Sequence, residues 1–209
     1  YTENDVGTLK IEAAKKKIQE INPNISLSSY NDRIDSLAKA DKYITKKFDL
    51  VICTADGPVY KLYEWVNKIC VQKNIPWVSM GVMELSAFIG PFVIPHKTAC
   101  YNCHIREKLK SYPNYLELVE NLEQSKKLHQ FESASLYPLF AIACNTLMLD
   151  VLNYLFKFEN KLQTTNNIIE ISFLTGQTTR PIEKTSGCSI CRPRLKRSTP
   201  QQPFYKPLA

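Results

Sequence analysis

Long apolar runs are missing from this chain of 209 residues. A membrane-spanning helix needs roughly 20 consecutive apolar residues, and the longest candidate, residues 136–158, is interrupted by Asn145, Asp150 and Asn153. We therefore expect no membrane span and no membrane partner. Hydrophobic residues make up 44% of the chain and charged residues 22%, which predicts a globular protein with one substantial core, in one domain or in one domain with a small appendage.

Glycine is also scarce. The chain has six glycines, and none of them belongs to a G-x-G-x-x-G segment, the loop with which many α/β proteins wrap the phosphates of a nucleotide. If a nucleotide binds here, its glycine loop lies outside these residues.

Clustered positive charge is limited, although the net charge is +7. Lysines and arginines are spread along the chain, with runs only at residues 15–17 and 192–197. Surfaces that bind nucleic acid combine such charge with recognisable aromatic or basic motifs, and none accompanies it here. We expect no nucleic-acid partner.

Two Cys-x-x-Cys pairs stand out among the residues that are present: Cys100 with Cys103, and Cys188 with Cys191. A two-residue spacer allows both sulfurs of a pair to bind one ion, and four such thiolates are typical of a tetrahedral structural Zn²⁺ site. The alternatives are that the two pairs occur by coincidence, or that their cysteines form disulfides in a secreted protein. A chain of this length does not need disulfides to hold its fold, so we expect zinc in a reducing, cytoplasmic setting. The other cysteines lie in apolar runs and are predicted core residues: Cys53, Cys70 and Cys144.

Hydrophobic periodicity predicts an α/β fold in the first half of the chain. Apolar residues at helical spacing predict an amphipathic surface helix over residues 8–21. Residues 48–53 and 77–80 are predicted buried strands, and the segment between them carries a helical apolar face. Strand, helix, strand is the order of a Rossmann-like, mostly parallel sheet covered on both faces. The helical face consists of Leu62, Trp65, Val66 and Ile69.

The second half is predicted to extend this sheet. Later strands are expected at residues 88–94 and 168–173, continuing the sheet into an antiparallel part and a zinc-clamped C-terminal segment. Residues 107–130 are charged and helical in character, as in a crossover, and residues 136–156 predict a helix too apolar to lie on the surface. The basic tail, residues 192–209, contains proline and lacks periodicity, which predicts an extended arm or a disordered segment.

Two charged residues, Asp56 and Lys10, are candidates for contact with a ligand. Ligands bind beyond the carboxyl ends of parallel strands, and Asp56 closely follows the first predicted strand. Its carboxylate suits Mg²⁺ on nucleotide phosphates, although spacing alone favours a plainer role as a cap for the helix that begins near Val59. Lys10 lies in the first turn of its helix, where the helix dipole disfavours a cation unless an anion is near. A bound phosphate would explain a lysine at this position, and so would solvent exposure on a helix that is rich in lysine.

Several segments occur in an order that is specific when taken together. They are residues 5–14 (DVGTLKIEAA) with Asn22-Pro23 after them, 49–56 (DLVICTAD), 90–103 (GPFVIPHKTACYNC), 132–138 (ESASLYP) and 187–191 (GCSIC). Over nearly its whole length the chain thereby resembles the ThiF/MoeB family of ubiquitin-type activating enzymes. Within that family it is most similar to the microcin-type peptide adenylating enzymes, through residues 65–71 (WVNKICV) and 92–100 (FVIPHKTAC).

The resemblance implies an adenylyltransferase. Such an enzyme uses ATP to adenylate the C-terminal carboxylate of a short ribosomally made peptide, or of a small ubiquitin-like carrier protein, here in the maturation of a peptide natural product such as a peptide antibiotic. It implies that Lys10 and Asp56 are the catalytic and nucleotide-binding residues, with Lys10 touching phosphate and Asp56 holding Mg²⁺. By analogy it also implies a homodimer, and one adenylation domain over residues 1–191 followed by the tail, 192–209.

Two departures from the family pattern change what we expect. Gln130 stands where MoeB-like members carry a cysteine, so a thioester relay is not expected. The family's glycine-rich loop, ribose-binding acid and adenine-side segment all precede the motif that here begins at Asp5. We therefore expect either that the chain is a fragment of a longer protein or that another chain supplies the loop, and that this polypeptide alone does not hydrolyse ATP.

Two other classes of function stay open. One is a non-catalytic ThiF-like module that binds a leader peptide and presents it to an azoline-forming cyclodehydratase. The other is a zinc-clamped structural protein without a ligand. Retention of both Lys10 and Asp56 favours the enzyme.

Overall fold

The computed structural model describes residues 1–55, 57, 59–83, 85–129, 136–158 and 161–191. They belong to two compact units, Tyr1–Ile34 and Asp35–Ala209. Several residues singled out in the sequence lie outside the described ones: Asp56, Pro58, Gln130, residues 132–135 and the tail, 192–209.

The first unit contains a short 3-10 helix, Glu3–Asp5, and helix α1, Lys10–Ile21, so the predicted surface helix is confirmed. The 3-10 helix is capped by Asp5, whose carboxylate accepts a hydrogen bond from the Thr2 backbone N–H at 2.6 Å. The same carboxylate lies 3.6 Å from the Lys17 ammonium. These contacts, the Thr2 backbone bond above all, lower the pKa of Asp5.

The second unit is built on a five-stranded sheet in the order β1-β2-β3-β4-β5. Strands β1 and β2 are parallel, and every later neighbour is antiparallel. The elements are α2 (Leu37–Tyr43), β1 (Val51–Cys53), α3 (Val59–Lys73), β2 (Trp77–Met83), β3 (Ser86–Val93), α4 (Tyr101–Ser111), α5 (Tyr115–His129), α6 (Tyr137–Leu155), β4 (Asn167–Ser172) and β5 (Gly176–Pro181). The predicted fold class, an α/β sheet with flanking helices that continues from a parallel into an antiparallel part, is confirmed. The sheet of the described residues is mixed and not mostly parallel, because one of its four strand pairings is parallel.

Helices α3 and α6 cover opposite faces of the sheet at β2, as the mainly apolar strands of the first half predict. Successive side chains of a strand point to opposite faces, and β2 shows this clearly. Trp77 packs near the Tyr63 ring of α3, whereas Val78 and Met80 join the core beneath α6. Leu139 and other residues of α6 complete that core. The side-chain alternation along β2 therefore separates one core under α3 from another under α6.

Helix α6 does not have the full burial that its sequence predicts. Its inner face is buried against the sheet through residues such as Ala143 and Leu147, but on its outward face Ile142 is 50% exposed and Leu149 56%. The prediction that this helix is too apolar for the surface is therefore wrong for the described chain, because a helix packed on one sheet buries only one stripe. The helix is long and apolar enough to cross a membrane by length and composition, with a mean hydropathy of 1.4. Core helices of soluble proteins pass the same test, so the expected absence of a membrane span stays a prediction.

One edge of the sheet collects the carboxyl ends of β1, β2 and β4; we call it the carboxyl edge. The strand pairing shows that these ends lie together. Cys53 at the end of β1 pairs with Ser79 of the parallel strand β2. At the end of β2, Met83 pairs with Ser86 of β3, which in turn pairs with Ser172 at the end of β4. This is the edge at which ligands of parallel sheets bind.

Candidate metal centre and the carboxyl edge

The four predicted metal ligands meet in one buried cluster. The Sγ atom of Cys100 lies 3.9 Å from that of Cys103 and 3.7 Å from that of Cys188, and the Sγ atoms of Cys103 and Cys191 are 3.6 Å apart. A tetrahedron with Zn–S bonds of about 2.3 Å has sulfurs about 3.8 Å apart. Disulfide sulfurs would lie about 2.05 Å apart. The described geometry therefore fits a tetrahedral metal site and not a pair of disulfides.

Helix α4 holds the first pair of cysteines. Cys100 is the residue that precedes the helix, and its carbonyl accepts hydrogen bonds from the backbone N–H groups of Cys103 at 2.9 Å and His104 at 3.2 Å. The first turn therefore fixes the spacing of the two sulfurs. It also places both at the positive end of the helix dipole, which favours thiolates.

A glycine turn holds the second pair. Gly187 has φ +68°, a left-handed conformation that glycine adopts without steric cost. The next backbone N–H, that of Cys188, donates to the Thr185 carbonyl at 3.2 Å. This local turn directs Cys188 and Cys191 toward the sulfurs of α4.

Asn166, which the sequence did not single out, connects the two loops that carry the cysteines. Its side-chain Oδ1 accepts a hydrogen bond from the Ala99 N–H at 2.6 Å, and its backbone carbonyl accepts one from Ile182 at 2.7 Å. Ala99 directly precedes Cys100, so one residue ties both approaches to the cluster. The only signal in the sequence was a polar turn, Thr164 to Asn167, which by itself indicates a loop.

The electrostatics of the cluster favour a bound cation. Hydrogen bonds from Cys100 and Cys191 lower the pKa of Cys103. The same contacts, to Cys103 first, together with burial, raise the pKa of Cys100. Without metal the group therefore stabilises one thiolate at the expense of its neighbours, whereas a divalent ion binds all four cysteines as thiolates. Four sulfurs leave no position for a reacting ligand, so a zinc ion here would hold the fold.

His104 is a neighbour of the cluster and not a member of it. The group of four consists of cysteines alone. Burial, followed by the nearby charges of Lys108 and Arg180, lowers the pKa of His104 to about 4.

Asn67 links the metal cluster to the core under α3. Its side chain is fully buried, and Oδ1 accepts hydrogen bonds from the Trp77 indole N–H and the Tyr101 backbone N–H, both at 3.3 Å. Tyr101 directly follows Cys100. Asn67 therefore joins α3, β2 and the start of α4, and nothing in its sequence context indicated this role.

The carboxyl edge begins where β1 ends. The Tyr63 hydroxyl lies 3.4 Å from the Ala55 carbonyl and 3.5 Å from the Met80 carbonyl. Helix α3 therefore contacts both the loop that follows β1 and the neighbouring strand β2. Asp56 follows Ala55 in the chain but lies outside the described residues. Lys10, the first residue of α1, is exposed and belongs to the other unit. The roles of Asp56 and Lys10 therefore stay predictions.

Among the residues that the structure describes, the four cysteines are the one group of three or more His, Cys, Asp or Glu side chains placed to hold a metal ion.

Comparison with known proteins identifies the relatives of this fold. The sequence model of the ThiF family matches residues 1–190. The chain is 28% identical over 171 residues to ubiquitin-like modifier-activating enzyme 5 of Drosophila mojavensis, covering 76% of this chain and 40% of that protein. It resembles the crystal structure of E. coli MccB with ATP at a TM-score of 0.73 and 27% identity, covering 91% of this chain and 53% of that one.

A second solved structure extends this comparison. The microcin C7 biosynthetic enzyme MccB, in complex with N-formylated MccA, is matched at a TM-score of 0.74 and 25% identity, over 91% of this chain and 54% of that one. The chain therefore spans about 40% of the curated relative and about half of each solved structure.

Proposed function

Because this chain belongs to the ThiF family, we propose that it is part of an enzyme that uses ATP to adenylate the C-terminal carboxylate of a peptide. The observation that carries the proposal is the match of its fold, at 27% identity, to MccB solved with ATP. The family also contains relatives that are named as activating enzymes for ubiquitin-like modifiers. Similarity to MccB in both sequence and fold favours a short ribosomally made peptide, in natural-product maturation, over a carrier protein.

The proposed reaction is a displacement at the α-phosphorus of ATP. A carboxylate oxygen of the peptide forms a bond to that phosphorus, the bond from phosphorus to the bridging oxygen of the β-phosphate breaks, and pyrophosphate leaves with the electron pair. No covalent bond to the protein is needed, so positioning and neutralisation of charge supply the catalysis. Residue 130 is glutamine and not cysteine, which agrees with a reaction that forms no thioester with the protein.

Lys10 and Asp56 are the residues we propose to act on the nucleotide. The Lys10 ammonium would neutralise phosphate charge, and the Asp56 carboxylate, just beyond the end of β1, is suited to hold the Mg²⁺ that accompanies ATP. Bound Mg²⁺ would offset the negative charge that builds on the phosphate oxygens. The zinc cluster takes no part in the chemistry.

ATP–pyrophosphate exchange on the full-length protein tests the assignment. We expect exchange that depends on a peptide with a free carboxylate, and a loss of at least about 100-fold in Lys10→Ala and in Asp56→Ala, the scale of a lost charged transition-state contact. Lys16→Ala, an exposed lysine of the same helix, is the matched control and should exchange normally. Normal exchange by Lys10→Ala would remove that residue from the site, and no exchange by the unmodified protein would favour a leader-binding module.

Assembly and location belong to the same proposal. We propose a homodimer that works in the cytoplasm, where cysteines stay reduced and available to zinc. Light scattering of the full-length protein measures the first directly: twice the mass of one chain supports it, and the mass of a single chain contradicts it.

A further inference from the structure

A cavity on the α6 side of the sheet is not used by the chemistry described above. Its volume is about 240 Å³, enough for one large side chain. The start of α6 forms one wall and the end of β4 the other. The lining consists of Leu136, Pro138, Leu139, Ile142, Ile171, Ser172 and Phe173. Because almost every lining group is apolar, its occupant has to be apolar and uncharged.

The cavity opens at the carboxyl edge, where the proposed adenylation site lies. Ile171 in its wall pairs with Ala87 of β3, which pairs with Val82 of β2. Ala55, two residues past the end of β1, is at about the level of Gly81, because Cys53 pairs with Ser79. The cavity and the residues that follow β1 therefore lie at about the same level along the strands, three strands apart in the sheet.

Strand spacing sets the distance between them. From β1 to β4 there are three steps, each about 4.8 Å, so the separation is about 14 Å. An extended peptide advances about 3.4 Å per residue. A peptide whose terminal carboxylate lies near the end of β1 therefore reaches the cavity about four residues back.

From this geometry we infer that the cavity is a specificity pocket for the peptide substrate: it takes a leucine-sized or larger apolar side chain about four residues before the carboxylate that is adenylated. The inference rests on the proposed function, which places that carboxylate at the carboxyl edge. The exposed side chain of Phe173 in the lining supplies an apolar contact for a neighbouring residue of the peptide.

The test uses the full-length protein and heptapeptide carboxylates in which one position at a time is fixed as leucine, serine, aspartate or lysine. Binding is measured by fluorescence anisotropy and adenylation by pyrophosphate exchange. Leucine about four residues before the terminus should improve binding about ten- to hundredfold over aspartate, the scale of burying one leucine side chain, and the KM for ATP should not change. Equal binding of all four peptides at every position would overturn the inference.

Introducing a charge into the lining tests whether the cavity itself determines the preference for leucine. Ile142→Asp places a carboxylate at the half-exposed rim, and Leu149→Asp, two turns further along the same face of α6, is the matched control outside the cavity. We expect Ile142→Asp to lose the preference for leucine and to gain one for lysine at the same position, while Leu149→Asp keeps the original preference. An unchanged preference in Ile142→Asp contradicts the assignment.

The two readouts separate the inference from the proposed function. Position-dependent peptide binding without pyrophosphate exchange would reject adenylation and retain the pocket. Peptide-dependent exchange without any preference along the peptide would retain adenylation and reject the pocket.

Discussion

Removing one cysteine of the metal cluster should destabilise the fold by an amount that the chain topology sets. The metal closes a loop between Cys100 and Cys188, which are 88 residues apart in sequence. A cross-link over a loop of that length restricts the unfolded chain by about 4.6 kcal/mol at 25 °C in the chain-entropy treatment used for disulfides, and a metal that clips the same loop acts in the same way. Cys191 closes a loop of the same length to Cys103, so this cost applies when the loss of one thiolate releases the metal. We expect that release, and Cys188→Ser should then cost about 4–5 kcal/mol.

Thermal unfolding with and without a chelator measures this effect. For a domain of this size, each kcal/mol lowers the Tm by about 2–4 °C, so Cys188→Ser should melt about 8–20 °C below the unmodified protein. A chelator should lower the Tm of the unmodified protein by a similar amount and have little further effect on the variant.

Cys144→Ser provides the matched control, because Cys144 lies outside the cluster, near the Met80 sulfur. It should cost no more than about 1 kcal/mol and stay sensitive to the chelator. An unmodified protein that carries no metal, or whose Tm the chelator leaves unchanged, would contradict a structural role of the metal.

Three further predictions concern the core and the cysteines. Gly90→Ala should lower the free energy of unfolding by about 2–5 kcal/mol, because Gly90 has φ +95° and an added Cβ would lie 2.8 Å from the Asn167 carbonyl oxygen; a urea titration measures this, and a loss below 1 kcal/mol would contradict it. Asp150→Ala should cost about 3–5 kcal/mol in the same titration, because the buried Asp150 carboxylate accepts three hydrogen bonds from Gln163 and Thr164. Asp150→Asn keeps one carbonyl oxygen and should cost less. Equal losses in the two variants would contradict the importance of these hydrogen bonds. Burial raises the pKa of Cys53 to about 11 and of Cys70 to about 12, so at pH 8 iodoacetamide should leave both unmodified in the folded protein, as peptide mapping would show, and rapid alkylation of either would contradict their burial.

Elements with a clear sequence pattern could be predicted. Helix α3 was predictable because its apolar residues recur at helical spacing, and strand β2 because a short apolar run follows Asn74-Ile75-Pro76. The metal ligands were predictable as well, since two Cys-x-x-Cys pairs restrict the chemistry before any fold is known. Strand β5 was missed, because every residue of this edge strand is exposed and Gly-Gln-Thr-Thr-Arg-Pro carries no apolar alternation.

Residues that act through distant contacts could not be predicted from periodicity. Asn166 reaches across 67 residues to the backbone before Cys100, and Asn67 reaches across 34 to the start of α4. An asparagine in a loop or on a helix gives no local sign of such a partner. The exposure of α6 was mispredicted for a related reason: an apolar sequence shows that a helix can be buried, but not which neighbours cover each of its faces.

The most direct test of adenylation is to look for the peptidyl adenylate itself. Full-length protein, ATP and Mg²⁺ are incubated with the heptapeptide carboxylates, and the products are analysed by mass spectrometry. We expect AMP joined to the C-terminal carboxylate, pyrophosphate as the second product, and no adduct with peptides whose terminus is amidated. Release of ADP and phosphate, or the same yield from amidated peptides, would contradict it.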